Sequence, residues 1–241
     1  MKLLFLFLFC FPFSICAQGN LKTKITKLRV DYSSKYASPS YYEKDNLKLF
    51  GIRMIHVNKP EFYLTTKKTL DSLRNEGYIV FYEGVTIELE DKEEADLYLK
   101  KFRRITHQTL MNYYDDENET KKSHKIEDYV YQNDADYGLN IEVDQLVDLS
   151  VKELILAYEK KFGEIILTDC DLNTPMGKKY KCSKKDKKGT DYLISTLRNN
   201  HIFEEISKSK ASKIVLVYGK AHIDVLGMML KRDGWAFKHL N

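Results

Sequence analysis

The sequence is poor in the residues that build flexible linkers, disulfide frameworks and nucleic-acid surfaces. Only 4 of its 241 residues are Pro, which excludes long Pro-rich linkers. Only 4 are Cys, and a chain of this length can bury a large core without disulfides. The net charge is only +4, because 39 basic residues are offset by 35 acidic ones. The composition therefore has no electrostatic footprint for nucleic acid and is that of an ordinary folded domain.

Long apolar runs are also absent after the first seventeen residues, so we expect no transmembrane span. The N-terminus is the exception, because Lys2 precedes an almost unbroken apolar run over residues 3–13. This layout is typical of a secretory signal peptide over residues 1–17, cleaved after Ala17. Lipidation of Cys16 is the alternative, and Ile15 disfavours it because lipidation signals usually have a small residue there. We therefore expect an exported protein, either periplasmic or secreted.

Removal of the signal peptide leaves two cysteines, Cys170 and Cys182, on either side of a Lys-rich polar stretch. In an oxidising compartment such a pair is expected to form a disulfide. A zinc site would need closer Cys spacing or nearby His residues, and neither is present. Closing a loop of this length would stabilise the fold by about 3 kcal/mol.

Strand and helix patterns alternate along most of the chain. Residues 18–46 form a polar lead-in, and residues 47–241 are predicted to form one α/β domain. The apolar patterns predict strands over 47–57, 78–82, 139–144, 213–218 and 235–239, and helices over 65–77, 92–104, 151–162, 190–207 and 219–234. Thr66 is the expected cap of the first helix, and residues 107–137 are expected to be a loop or helical insertion. The alternation predicts a three-layer α/β/α fold whose mostly parallel central sheet is built from two βα-type halves.

Three side chains follow the predicted ends of strands: His56, Glu83 and His222. Ligands of open α/β sheets bind at the carboxyl ends of the strands, so these side chains are expected to share a site. Two imidazoles and a carboxylate suffice for a catalytic zinc or manganese ion. Without metal they could act as acid and base. The alternatives are that each His is structural and that Glu83 only caps the turn at Gly84.

The C-terminal region resembles a known family. Residues 213–235, KIVLVYGKAHIDVLGMMLKRDGW, are similar to the C-terminal signature of the TraB/GumN/Tiki family: an apolar strand, a G-x-x-H element, a helix and a Gly-aromatic step. Residues 197–200 resemble its Arg-Asn pair, and residues 79–84 resemble the strand that carries its Glu. Residues 141–150 resemble its central stretch ending in Leu-Ser. The resemblance spans roughly residues 47–240, with the elements in the family's order.

The resemblance implies a fold and a chemistry. The family belongs to the erythromycin-esterase/ChaN-like superfamily of three-layer α/β/α proteins, in which Tiki members are metal-dependent proteases and ChaN-like relatives bind haem iron. It therefore implies a hydrolase that uses a divalent metal (Zn, Mn or Co) on a peptide or protein substrate. The alternative on the same fold is a non-catalytic binding protein for a metal, a haem or a peptide.

Carried over residue by residue, the resemblance assigns His56, Glu83 and His222 as the metal or catalytic set. Arg198 would stabilise an anion or a transition state, unless it only locks its helix through a salt bridge. Asp144 is a further candidate, unless it is a turn residue.

The first G-x-x-H element of the family falls on residues 53–56, where Arg53 replaces the Gly. This Arg could clash with the site, carry positive charge into a cation site, or bind an anionic substrate.

Overall fold

The structure of the protein is a computed structural model that describes residues 27, 38–89, 91–110, 128–133 and 137–238. The predicted signal peptide, including Cys16, lies outside these residues. The strands are β1 (Ser40–Lys44), β2 (Leu47–Met54), β3 (Val57–Asn58), β4 (Ile79–Tyr82), β5 (Val130–Tyr131), β6 (Gln145–Leu146), β7 (Lys213–Gly219) and β8 (Ala236–Lys238). The helices are α1 (Pro60–Asn75), α2 (Lys92–Thr106), α3 (Val151–Phe162), α4 (Asp169–Asn173), α5 (Lys187–Asp191), a π-helical turn (Tyr192–Thr196), α6 (Leu197–Lys208) and α7 (Lys220–Arg232).

A six-stranded sheet with the order β6-β4-β7-β2-β1-β8 forms the centre of the molecule. Strands β6, β4, β7 and β2 are parallel to one another, whereas β1 runs antiparallel to both β2 and β8. The parallel strands end at one edge of the sheet, and that edge receives the segments that follow β2, β4, β6 and β7. This mostly parallel sheet confirms the predicted α/β fold class.

The alternation of β7 shows how the sheet separates two helical layers. Ile214, Leu216 and Tyr218 pack in a buried cluster with α6 and α7. Val215 and Val217 face the other way, toward a cluster that contains Tyr63 and other side chains of α1. Both faces of the strand are buried, as the continuous apolar run of a central parallel strand predicts. The fold is therefore three-layered.

A third buried cluster joins α2, α3 and the π-helical turn beside the sheet. The disulfide between Cys170 and Cys182 forms as predicted and closes the segment that begins in α4. A disulfide is compatible with an oxidising compartment. In the part of the chain that the structure describes, no helix is long and apolar enough to cross a membrane.

Several local predictions are wrong. Residues 40–44, predicted as part of the polar lead-in, form β1 and pair with β2 in the central sheet. Helix α1 begins at Pro60, because Pro is favoured in the first turn, where its missing N–H costs nothing. Thr66 therefore lies inside the helix, and its hydroxyl donates to the Phe62 carbonyl instead of capping. Residues 139–144 are a turn and not a strand: the side chain of Asp144 accepts the Asn140 N–H at 2.7 Å. A side chain that binds nearby backbone in this way competes with strand pairing.

Candidate functional site

Glu83 directly follows β4, and both oxygens of its carboxylate are held. Oε1 accepts a hydrogen bond from Nη2 of Arg198 at 2.8 Å, and Oε2 accepts one from the Gly219 N–H at 2.6 Å. Burial alone would raise the pKa of Glu83, but the charge of Arg198, the His222 imidazole and the Gly219 N–H outweigh it. The pKa of Glu83 therefore lies below its usual value, and the carboxylate is ionised at neutral pH.

Gly219 gives the G-x-x-H element its physical meaning. Its φ of −49° is open to any residue, so the Gly is not required by backbone conformation. A Cβ at this position, however, would stand 3.2 Å from Oε2 of Glu83. A side chain at this position would therefore require the Glu83 carboxylate to shift by a few tenths of an ångström.

His222 lies in the first turn of α7, and its neighbours determine its tautomer. Nδ1 is 2.8 Å from Oδ1 of Asn199, while Nδ2 of Asn199 donates to the Ser195 hydroxyl at 3.2 Å. Because an amide oxygen can only accept, Nδ1 of His222 must carry the proton. In the neutral ring, Nε2 is then the nitrogen with the free lone pair.

Nε2 of His222 stands 3.4 Å from Oε1 of Glu83. Burial lowers the pKa of His222; Glu83 and Asp148 act to raise it and Arg198 acts to lower it, and the net direction is down. The imidazole is therefore neutral at neutral pH, and two hydrogen-bond acceptors face each other. The arrangement is suited to a proton donor such as a water molecule, which can donate to both atoms.

Arg198 and Asp148 form a buried ion pair behind Glu83. Nε and Nη2 of Arg198 donate to the two oxygens of Asp148 at 2.9 and 2.6 Å. Asp148 also accepts the backbone N–H of Gly84 at 3.1 Å and that of Leu149 at 2.9 Å. Burial opposes the charge of Arg198, but Asp148 and Glu83 raise its pKa above its usual value. The guanidinium stays charged, and its Nη1 makes no hydrogen bond to a described residue.

The π-helical turn ends at Thr196, two residues before Arg198. Arg198 and Asn199 are consecutive and both buried, yet Arg198 reaches Glu83 while Asn199 reaches His222. Single π-helical turns are rare and occur frequently at functional sites.

Glu83, Asp148, Arg198 and His222 form what we call the charged cluster. With His222 neutral, two carboxylates face one guanidinium, so the cluster carries a net charge of −1. Such a buried group is suited to one further positive charge or hydrogen-bond donor, supplied by His222 protonation or by a bound molecule.

A two-lobed cleft opens beside the charged cluster. The lobes have volumes of about 480 and 450 Å³ and share several lining residues: Met54, His56, Glu83, Val85, Leu110, Arg198 and Gly219. His222 lines the second lobe. Cavities of this size accept small molecules or a few residues of a peptide.

His56 lines the same cleft but is not part of the charged cluster. It is exposed, and its carbonyl accepts the Gln132 N–H at 2.8 Å. Its imidazole makes no hydrogen bond to a described residue. The structure thus brings Glu83, Arg198 and His222 together and places His56 elsewhere on the cleft wall.

The metal that the family resemblance implies does not fit this arrangement of donors. Among the described residues, no three His, Cys, Asp or Glu side chains are grouped so that they could hold one metal ion. Each oxygen of Glu83 already accepts one hydrogen bond, from Arg198 or from the Gly219 N–H. A protein zinc site uses at least three side chains. This arrangement of the described residues therefore does not support metal binding by His56, Glu83 and His222, which stays a prediction of the family resemblance.

Asp144 lies away from the cleft. It precedes β6, and its carboxylate pairs with Arg74 in the last turn of α1, with Oδ2 at 2.5 Å from Nη2. Helix α1 leads into the amino end of β4. The Asp144–Arg74 pair therefore lies toward the amino ends of the parallel strands, whereas the cleft lies at their carboxyl ends. Asp144 contacts Arg74 and the Asn140 N–H, and it lines neither lobe of the cleft.

Arg53 also turns away from the cleft. Its Nε donates to Asp224 on α7 at 2.9 Å, and its Nη1 donates to the Ser38 carbonyl. Arg53 lines neither lobe. It therefore neither clashes with the charged cluster nor carries charge into the site.

Sequence reasoning missed Asp148 and Asn199. The expected strand over 139–144 directed attention to Asp144, whereas the true strand β6 ends at Leu146, two residues before Asp148. The available signals were the strand-end position of Asp148 and the place of Asn199 in the Arg-Asn pair of residues 197–200.

Comparison of the chain with protein-family models, curated proteins and solved structures finds no match.

Proposed function

We propose that this protein is a hydrolase that cleaves an ester or amide bond in the cleft, with His222 as the general base. The observation that carries the proposal is the pairing of the unprotonated Nε2 of His222 with the ionised Oε1 of Glu83 at 3.4 Å. A hydrogen bond fixes each group: His222 donates to Asn199, and Glu83 accepts from the Gly219 N–H. Such fixed geometry is what acid–base catalysis requires.

In the proposed reaction, a water molecule donates hydrogen bonds to His222 and Glu83. Nε2 of His222 takes one proton as the water oxygen attacks the substrate carbonyl carbon. The carbonyl π electrons move to its oxygen and give a tetrahedral anion. When the anion collapses, the bond to the leaving nitrogen or oxygen breaks, and the proton on Nε2 passes to the leaving group. His222 is then neutral again.

Arg198 is suited to stabilise the negative charge that develops. It lines both lobes, and its Nη1 is not used by any described residue. A guanidinium already oriented by Asp148 needs no rearrangement when the oxyanion forms, which makes such stabilisation effective. The family resemblance likewise assigns Arg198 the role of stabilising an anion or a transition state.

The proposal extends to export and family. The apolar N-terminus supports a signal peptide over residues 1–17, and the disulfide between Cys170 and Cys182 supports an oxidising compartment. The family order of the motifs supports membership of the TraB/GumN/Tiki family. N-terminal sequencing of the exported protein tests the first point: a chain beginning at Gln18 supports cleavage, whereas a lipidated Cys16 contradicts it.

The experiment for the activity is a screen of fluorogenic ester and peptide libraries with the purified mature protein. The screen runs in parallel with chelator and with added Zn²⁺, Mn²⁺ or Co²⁺. His222→Ala is expected to lower hydrolysis by about 10²–10⁴-fold. His201→Ala is the matched control, because His201 lies on α6 and lines neither lobe.

Three results separate the candidates. Hydrolysis that persists in chelator and requires His222 supports the acid–base reaction. Hydrolysis that needs an added metal supports the metal-dependent enzyme that the family resemblance implies. Tight binding of a cationic ligand without turnover supports the second candidate, a binding protein, which the net charge of −1 on the charged cluster favours.

A further inference from the structure

Positive charge is concentrated in one short stretch of the chain. Residues 178–188, which we call the lysine segment, contain seven Lys and one Asp. Their net charge is +6, whereas the whole chain carries +4. The remaining 230 residues therefore have a net charge of −2. The weak overall charge of the protein conceals one strongly basic region.

The lysines of this segment differ from many lysines elsewhere. Six of them are exposed and form no ion pair with a described residue: Lys179, Lys181, Lys184, Lys185, Lys187 and Lys188. Outside the segment, many lysines have carboxylate partners, such as Lys101 with Glu159 at 2.7 Å and Lys220 with Asp224 at 2.6 Å. The segment thus places like charges close together without compensation.

The other residues of the lysine segment hold it against the protein. Cys182 is tied to Cys170 by the disulfide. The Tyr180 ring packs 5.0 Å from the Arg103 guanidinium, and its hydroxyl donates to Asp171. The Asp186 side chain caps α5. Because the anchors alternate with the lysines, the positive charges are presented from a fixed backbone, which lowers the entropic cost of binding.

Two of the lysines are expected to lower the stability of the folded protein. Lys187 and Lys188 occupy the first turn of α5, which continues through the π-helical turn into α6. Cations at a helix N-terminus face the positive end of the helix dipole and are unfavourable. Folding stability therefore does not explain their presence, whereas an anionic partner would.

The chemistry of the segment favours a lipid surface over a nucleic acid. All of its cations are Lys, which acts as a point charge, and none is Arg, which recognises phosphate in a bidentate manner. Its aromatic residue, Tyr180, packs inward, so no base-stacking platform is offered. Leu172 lies inside the disulfide-closed loop and is 45% exposed. Clustered exposed lysines are typical of segments that adsorb to anionic bilayers, and an exposed apolar side chain in the same loop can add to the binding.

We propose that the lysine segment binds the surface of an anionic lipid bilayer. The probes are vesicles of phosphatidylcholine and phosphatidylglycerol in equal parts, with vesicles of phosphatidylcholine alone as the reference. In a sedimentation assay at low salt, the mature protein binds the first and not the second. Binding falls as salt is raised, since screening weakens each lysine contact.

The decisive variant changes Lys179, Lys181, Lys184 and Lys185 together to Gln. Each Lys near an anionic surface adds to the affinity of a polybasic segment, so loss of four should lower the vesicle affinity by about a thousandfold. The matched control changes four other exposed lysines to Gln, none with an ion pair to a described residue: Lys68, Lys92, Lys160 and Lys210. It alters net charge equally and should retain most of the binding. Thermal unfolding of both variants verifies that they fold.

Leu172→Ser provides a second measurement, because loss of the apolar side chain should weaken vesicle binding without changing the net charge. Equal losses in the two quadruple variants would overturn the proposal, since general charge and not the lysine segment would then be responsible. Binding to single-stranded DNA or heparin without binding to anionic vesicles would overturn it in favour of a different polyanion.

Discussion

The charged cluster and His56 both line the cleft, but they differ in burial and in the number of hydrogen bonds that fix their side chains. The charged cluster is largely buried, and each of its members has at least one partner at hydrogen-bond distance behind it. His56, which also lines the cleft, is exposed and makes no imidazole hydrogen bond to a described residue. The two histidines occupy similar places in the sequence pattern, yet only His222 has its tautomer and orientation determined by neighbours.

This difference indicates that the charged cluster and His56 have different roles. Groups that take part in chemistry need fixed geometry, which packing and hydrogen bonds supply. A side chain exposed on a cleft wall can instead adapt to what enters. Under the proposed function, the charged cluster carries out the catalysis and His56 contacts a bound molecule.

The largest effect is expected from Arg198→Met, which breaks the charged cluster. Removal of the guanidinium leaves Asp148 and Glu83 as buried carboxylates without a cation. Loss of one partner of a buried ion pair costs about 3–5 kcal/mol of unfolding free energy. Chemical denaturation of the variant and the wild type measures the difference.

Arg53→Met is the matched control for that prediction. Its partner Asp224 has a side chain that is 41% exposed, so the loss should be about 0.2–1 kcal/mol. The double variant Arg198→Met/Asp148→Asn removes one of the stranded charges and should recover part of the stability. Equal losses in the two single Arg variants would contradict a special role for the charged cluster.

A smaller effect is expected from the titration of His222. Burial lowers its pKa in the folded protein, whereas in the unfolded chain the value is about 6.5. Between these values the unfolded chain binds more protons. The free energy of unfolding therefore falls as the pH is lowered from about 6.5 toward the folded pKa, by at most about 1.4 kcal/mol per pH unit for one proton.

His222→Gln should abolish this part of the pH dependence, and urea denaturation across the acid range measures it. His201→Gln is the control and should keep the wild-type slope. Glu83, whose pKa is also lowered, contributes a separate loss of stability that begins below its unfolded value of about 4.3. An unchanged slope in His222→Gln would show that His222 is not the titrating group.

The sequence was sufficient for the parts of the fold that rest on apolar patterns. The buried run of β7 predicted a central parallel strand, and the stripe of α3 predicted its bounds of Val151–Phe162. Strand-end topology was likewise enough to bring Glu83 and His222 together. These features depend on burial and chain order, which periodicity records directly.

Side-chain direction and short elements were not accessible in the same way. Strand β6 has two residues, too few to show a period, so the turn at Asp144 was mistaken for a strand and Asp148 was overlooked. The direction of Arg53 depends on Asp224, 171 positions later in the chain. Such long-range polar pairs leave no local trace.

The smallest effect on stability is expected from His56→Ala. This variant tests the comparison between the charged cluster and His56 most directly. Because His56 is exposed, the free energy of unfolding should change by no more than about 0.5 kcal/mol. Its Tm in the presence of Zn²⁺ should also match that of the wild type, since a metal raises stability only through ligands that bind it in the folded state. If Zn²⁺ instead raised the wild-type Tm, and His56→Ala and His222→Ala both abolished the rise, His56 and His222 would bind the same ion. The separate roles inferred for the charged cluster and His56 would then be wrong, and the metal ligands that the family resemblance implies would be right.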